Sequence, residues 1–161
     1  MSIADDSQVS IVLSDYGNQD AAGKVNVLGA GWSFTGVQPN GFTPELAVTV
    51  FLEIPSKYRG ESFATCLKLL NQAGDPVNFP GPTGPQPLRV QQLVTVDIPA
   101  GPPGVPLPPN MPSNQKVAMR LSNGLPLSPN ELYRWVFEID GNDKAAVAFY
   151  VAGPPPGPVI G

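Results

Sequence analysis

The sequence predicts an all-β fold: a single antiparallel two-sheet β-sandwich, immunoglobulin-like or jelly-roll-like, of about eight strands with proline-rich straps. Three observations carry this reading. Apolar and polar residues alternate over one short segment after another, turn residues separate the segments, and no segment has a convincing helical period. A chain of 161 residues is long enough to bury one core and fits one domain. That domain is expected over residues 8–151, between an N-terminal arm at 1–7 and a proline-rich tail at 152–161.

Val9, Ile11 and Leu13 open the strand series, and the polar turn Tyr16–Gly23 returns the chain through Lys24–Leu28. Gly29-Ala30-Gly31 then interrupts; glycines inside a strand mark a bulge or bend, here one that turns Trp32 toward the core. Leu46, Val48, Val50, Leu52 and Ile54 share one face, as do Phe63, Thr65, Leu67 and Leu69 beyond the turn at Lys57–Gly60. These two runs read as an antiparallel hairpin. Val90, Val94, Val96 and Ile98 supply the next inward row, with Gln92 as a polar exception, and Val117, Met119 and Leu121 a shorter one. Last comes a hairpin in which Tyr133, Trp135, Phe137 and Ile139 turn at Asp140-Gly141 and return through Ala145, Val147, Phe149 and Val151. Asp-Gly suits the positive φ angles of a tight hairpin turn.

Proline and glycine together make 38 of the 161 residues (21 and 17), a share that approaches low-complexity compositions. The prolines are clustered: five from Pro76 to Pro87, seven from Pro99 to Pro112 and four from Pro154 to Pro158. Between the clusters the chain is rich in Val, Leu, Ile and Phe, so the prolines read as connections of a folded domain, with loops at 76–87 and 99–112. Proline lacks the ladder N–H and fixes φ, which keeps the segment 99–112 out of a central strand. Strands of one fold stand on both sides of it, so it is expected to lie on the domain as a stiff, polyproline-type strap.

Composition also bounds function. Nine basic residues against thirteen acidic ones, scattered without a run of three, give no positive footprint for nucleic acid. No apolar run approaches the ~20 residues of a membrane helix. Met1–Ser7 has neither a positive segment nor an apolar one, so the chain is expected to be made in the cytoplasm without a secretion signal. The lone Cys66 forms no intrachain disulfide and fits a reducing compartment.

Candidate chemistry is sparse. Histidine is absent, which removes Ser-His and Cys-His nucleophile pairs and imidazole zinc sites. Gly31-Trp32-Ser33-Phe34-Thr35-Gly36 resembles a nucleophile elbow, but its second glycine falls one residue late and no strand-to-helix context surrounds it. Cys66 lies on the strand face opposite Phe63 and Leu67 without a basic pair to activate it. Glu53, Glu61, Glu138 and Asp140 fall at outward or strand-end positions, where solvated charge is the simpler reading. Asp140, Asn142 and Asp143 lack the ligand spacing of a calcium loop. No catalytic residue, metal or cofactor is expected, nor a small-molecule ligand. Trp32 and Trp135 fall on core faces, whereas Tyr16, Tyr58 and Tyr150 are expected to be accessible.

The order of certain pieces resembles a family of small uncharacterised β-sandwich proteins of actinobacterial and phage genomes. The pieces are Val12-Leu13-Ser14-Asp15-Tyr16, Gly23–Trp32, Pro102-Pro103-Gly104-Val105-Pro106, Gly124-Leu125-Pro126-Leu127, Tyr133-Arg134-Trp135 and Glu138-Ile139-Asp140-Gly141. The likeness spans roughly residues 9–151. The resemblance implies a fold and transfers no catalytic residue; the insert Phe79–Pro85 and the proline-rich tail depart from it.

The function expected is therefore a non-enzymatic structural or interaction protein, a virion component such as a capsid decoration or minor tail protein, with a protein partner or self-assembly. Partner contacts are expected at Tyr16, Tyr58 and Tyr150, at Pro102, Pro103, Pro106, Pro108 and Pro109 of the strap, and at Pro154, Pro155, Pro156 and Pro158 of the tail. Preformed backbone at these prolines loses little ordering entropy on association. Two alternatives stand beside this reading. One is a carbohydrate- or peptide-binding module that uses the three tyrosines; the other is a histidine-independent hydrolase that uses paired carboxylates.

Overall fold

The structure is a computed structural model that describes residues 1–154 and 157–158. It is all-β and mostly antiparallel, with eleven strands in three sheets among the described residues, one sheet curled into a half-barrel. The strands are β1 (Gln8–Gln19), β2 (Val25–Ala30), β3 (Phe34–Gly36), β4 (Leu46–Ile54), β5 (Ser62–Leu70), β6 (Asn78–Gly81), β7 (Gly84–Pro87), β8 (Arg89–Thr95), β9 (Ser113–Leu121), β10 (Glu131–Ile139) and β11 (Asn142–Ala152). A four-stranded sheet has the order β2-β1-β4-β9 and a five-stranded sheet the order β3-β11-β10-β5-β8. Among the described residues only β3 and β11 pair in parallel.

The expected alternation positions the core. In the four-stranded sheet Leu13, Val48 and Met119 form one cross-strand row, and Ile11, Val50 and Val117 the next. In the five-stranded sheet Trp135 stands between Leu69 and Val147, and Phe63 opposite Val94. These rows meet in one apolar cluster, with Trp135 its largest fully buried side chain. Trp32 does turn inward after the glycine interruption. It meets Phe149 edge-on, ring centroids 5.9 Å apart.

Strand β1 bends sharply. Its first half pairs β4 as far as Ser14↔Ala47, and its second half pairs β2 alone. The bend brings Gly17 over Ala47 and Thr49, where any side chain would start 3.1 Å from Ala47 Cβ. Ala47 and Thr49 are thereby fully buried although they point away from the apolar core.

Five connections cross between the two large sheets, and the β4–β5 one places Leu46–Ile54 and Phe63–Leu69 in different sheets rather than in one hairpin. Two of the five join edge strands, one along each flank. On one side β2 of the four-stranded sheet continues through Trp32 into β3 of the five-stranded sheet; on the other, residues 96–112 lead from β8 to β9.

Several expectations change. The loop expected over 76–87 is a β-hairpin, β6–β7, in which Pro80 stands opposite Pro85 and Asn78 opposite Pro87. Antiparallel pairs alternate between hydrogen-bonded and non-bonded. A proline opposite a proline must be non-bonded, and Pro87, two residues on, falls in the same class. All three sit where no ladder N–H is needed, so a two-stranded ribbon tolerates them. Ile98, expected in the inward row, is exposed, because β8 ends at Thr95 and the chain leaves the sheet before it. Residues 1–7 do not stand apart as an arm. Ser2 caps a short helical turn, α1 (Ile3–Asp6), and places Ile3 and Ala4 in the core.

Candidate protein-association surface

The outer face of the five-stranded sheet carries an apolar row. Tyr133, Phe149 and Val151 point into the core, so the even-numbered neighbours on β10 and β11 point out. Tyr150 stands in register with Leu132 of β10 on one side and with Phe34 of β3 on the other. Their exposures are 69% for Phe34, 40% for Tyr150 and 42% for Leu132. The next outward residues of β11, Ala148 and Ala146, are exposed and short, and Arg134 of β10 stands opposite Ala148 at the side of the row. Single exposed apolar residues are ordinary, whereas a contiguous set is a candidate for an association surface.

Asn130 holds the lower end of this row. Its Oδ1 accepts from the Tyr150 hydroxyl and from the Gly153 N–H, both at 3.3 Å. The tail thus leaves the domain beside Tyr150. Pro154 and Pro158 are exposed, while the expected contacts at Pro155 and Pro156 lie outside the described residues.

The three tyrosines expected to be accessible have three different environments. Tyr150 belongs to the exposed row. Tyr16 is half-buried, with the Arg120 guanidinium 4.6 Å from its ring centroid, and Arg120 is itself paired with Glu45. Tyr58 corrects the expectation outright, for it is buried. It ends a 3-10 turn (Ser56–Tyr58) that folds against α1, and its hydroxyl donates to Asp6 Oδ2 at 2.7 Å. Asp6 also pairs with Lys57; the bonds from Lys57 and Tyr58 hold its carboxyl below the usual range. A partner for Tyr58 more than fifty residues away in sequence gives no local signal.

The strap is folded, though not as polyproline helix. Val105 N–H donates to Pro102 O at 3.0 Å, closing a turn with Pro103 and Gly104 at its centre. Gly104 has φ 76°, the type II arrangement in which proline precedes a positive-φ residue. A second turn closes from Met111 N–H to Pro108 O at 3.1 Å. Between them Leu107 packs against Gly101. Pro102, Pro103, Pro106, Pro108 and Pro109 are all exposed, so the turns break the continuous PxxP helix while still presenting the rings outward.

One bond pins the strap to the domain: Arg59 Nη2 donates to Met111 O at 2.7 Å. Substituting Arg59→Leu should leave the midpoint of global unfolding within about 1 kcal/mol, since one polar bond to a loop is lost. Amide exchange in residues 99–112 should rise at least several-fold, read by hydrogen–deuterium exchange. Unchanged exchange there would show that the bond does not hold the strap.

The remaining candidates are placed as follows. Cys66 is buried beside Glu138, and burial first, then that carboxylate, pushes its thiol up, away from reactivity. Glu138 and Asp143 share Lys68, whose ammonium is raised chiefly by its bond to Glu138. Asp140 accepts the Ala64 N–H at 2.8 Å within the type I′ turn that closes β10–β11. Glu53 and Glu61 are exposed. Among the described residues no three His, Cys, Asp or Glu side chains converge.

The signal that sequence reading missed is the row itself. Phe34 and Tyr150 are joined by a parallel pairing across more than a hundred residues. Their partnership follows only from topology. Comparison with family models gave no match, and comparison with curated protein sequences gave none.

Proposed function

We propose that the chain is a non-enzymatic structural protein that acts by association with a protein partner, built as a two-sheet β-sandwich. The sandwich reading is supported by inward rows of both large sheets sharing one core and by the connections along its two flanks. One observation carries the functional reading: Phe34, Tyr150 and Leu132 lie exposed and in register on a rigid sheet face. Aromatic anchors on a preorganised surface are the usual centre of a protein interface, because they bury large area at low entropic cost. The setting of a virion, as decoration or minor tail protein, follows from the family resemblance and from the rigid, proline-turned surface.

A photo-reactive phenylalanine placed at position 34 or 150 in the full chain tests the reading in the cells that make it. The expected result is a discrete protein adduct at both positions and none from the exposed control Glu61. Finding the same faint background at all three would sink the proposal. Mass spectrometry of the adduct then tests the virion setting separately: a capsid or tail protein supports it, and a host protein alone contradicts it.

A further inference from the structure

We infer that β8 is a self-complementary sheet edge through which two copies of the chain pair about a two-fold axis. This rests on the reading that the chain acts by association, and it assigns one partner, a second copy, to one edge. Strand β8 pairs β5 along one side and has no strand on the other among the described residues. Its sequence is Arg-Val-Gln-Gln-Leu-Val-Thr, seven residues of which six are exposed. Natural edge strands are protected by lysine, proline, bulges or shortness. From Arg89 to Thr95 there is no lysine, proline or glycine, and Leu93 is 75% exposed.

The backbone fixes which groups face outward. Val96 N–H donates to Glu61 O at 2.8 Å and Val96 O accepts from Gly60 N–H at 3.0 Å, while Leu88 O accepts from Leu69 N–H. Even-numbered residues therefore turn their polar groups toward β5. By alternation, Gln91, Leu93 and Thr95 turn theirs to the free edge.

An antiparallel pair centred on Leu93 uses those free groups. Leu93 then stands opposite Leu93 of the second copy, Gln91 opposite Thr95 and Arg89 opposite Asp97. Each of these is a pair that exchanges two backbone bonds. The register covers the exposed leucine and sets the only cation of β8 against the exposed Asp97 just beyond its end. Opposite charges directly across strands stabilise the pairing, and the two-fold axis makes the contact twice. Shifting the centre by one residue to Gln92 keeps the free groups matched but sets Arg89 against Thr95 and separates the leucines. Charge thus selects the register. The β8 edge lies at the opposite end of the five-stranded sheet from β3, so a dimer leaves both copies of the Phe34–Tyr150–Leu132 row available.

Light scattering of the full chain over a concentration series tests this. The expected mass rises to twice 16.9 kDa with increasing concentration. Leu93→Pro removes an outward N–H while sparing the β5 ladder, and it should hold the mass at the monomer value with far-UV circular dichroism unchanged. Arg89→Asp and Asp97→Arg should each raise the dimer dissociation constant about tenfold or more, and the double exchange should restore it. A wild-type chain that stays monomeric, a Leu93→Pro chain that dimerises as before, or a double exchange that restores nothing would overturn the inference. A monomeric wild type that still forms adducts from positions 34 and 150 would leave the association reading standing while removing this one.

Discussion

Replacing Trp135 by alanine is expected to remove about 3–5 kcal/mol of stability, the range for deleting a large aromatic from a packed core. Trp135 is fully buried and stands between Leu69 on β5 and Val147 on β11. Its loss leaves a cavity at the middle of three strands, where the hydrogen-bonded ladders on both sides prevent collapse. A domain of this size has roughly 5–15 kcal/mol in total, so the variant should sit near its unfolding threshold. Urea titration would show a midpoint well below the parent with a similar slope. Trp135→Phe refines the test. It keeps most of the ring packing and gives up an indole N–H that has no acceptor among the described residues, so it should lose less than half as much. A loss below about 1 kcal/mol for Trp135→Ala would mean that the core is not packed around this residue.

Gly124→Ala is expected to lose about 2–4 kcal/mol from a surface turn, through two additive causes. Gly124 has φ 67°, where an L side chain is strained by roughly 1–2 kcal/mol. A Cβ there would also collide with the carbonyl oxygen of Thr43, and backbone cannot move aside as a flexible side chain does. Thr43 is held by Leu125 in two places. Its N–H donates to Leu125 O and its Oγ1 accepts from Leu125 N–H, each at 2.9 Å. Separating these segments breaks both bonds and unseats Leu125 and Leu127 from the core. Gly141→Ala isolates the first cause, because Gly141 has φ 78° with open space around its Cα. That control should lose only the conformational part, about 1–2 kcal/mol. Equal losses at the two glycines, measured by thermal melts, would remove the steric cause.

Much of the fold was legible in the chain. The alternation in Leu46–Ile54, Phe63–Leu69 and Tyr133–Val151 named the core side chains because a half-buried strand must put every second residue inward. The Asp140-Gly141 turn was legible because few residue pairs accept two positive φ angles in succession. The β6–β7 hairpin was not, since proline density reads as loop until pairing shows that each ring occupies a non-bonded site. Nor was the burial of Tyr58, which depends on an N-terminal turn folding back to supply Asp6. Tyr150 was legible as an exposed aromatic, but its companions were not. Leu132 could be paired from the hairpin, whereas Phe34 arrives through a three-residue parallel strand with no sequence pattern of its own.

The proline segments changed most between sequence and structure. A polyproline-type strap is expected over 99–112; the segment instead folds into two closed turns, with an arginine bond to the domain. Its role in the architecture is to connect the outer strands β8 and β9 of the two large sheets.

The most direct test of association through the outer sheet face is photo-cross-linking from position 150 in the Leu93→Pro background, in which the β8 edge cannot pair. The expected result is an adduct with a second protein at the yield seen in the parent chain, abolished when Phe34 and Leu132 are both changed to Asp. Adducts that vanish with Leu93→Pro alone, or that persist after both apolar neighbours become Asp, would contradict a partner seated on Phe34, Tyr150 and Leu132.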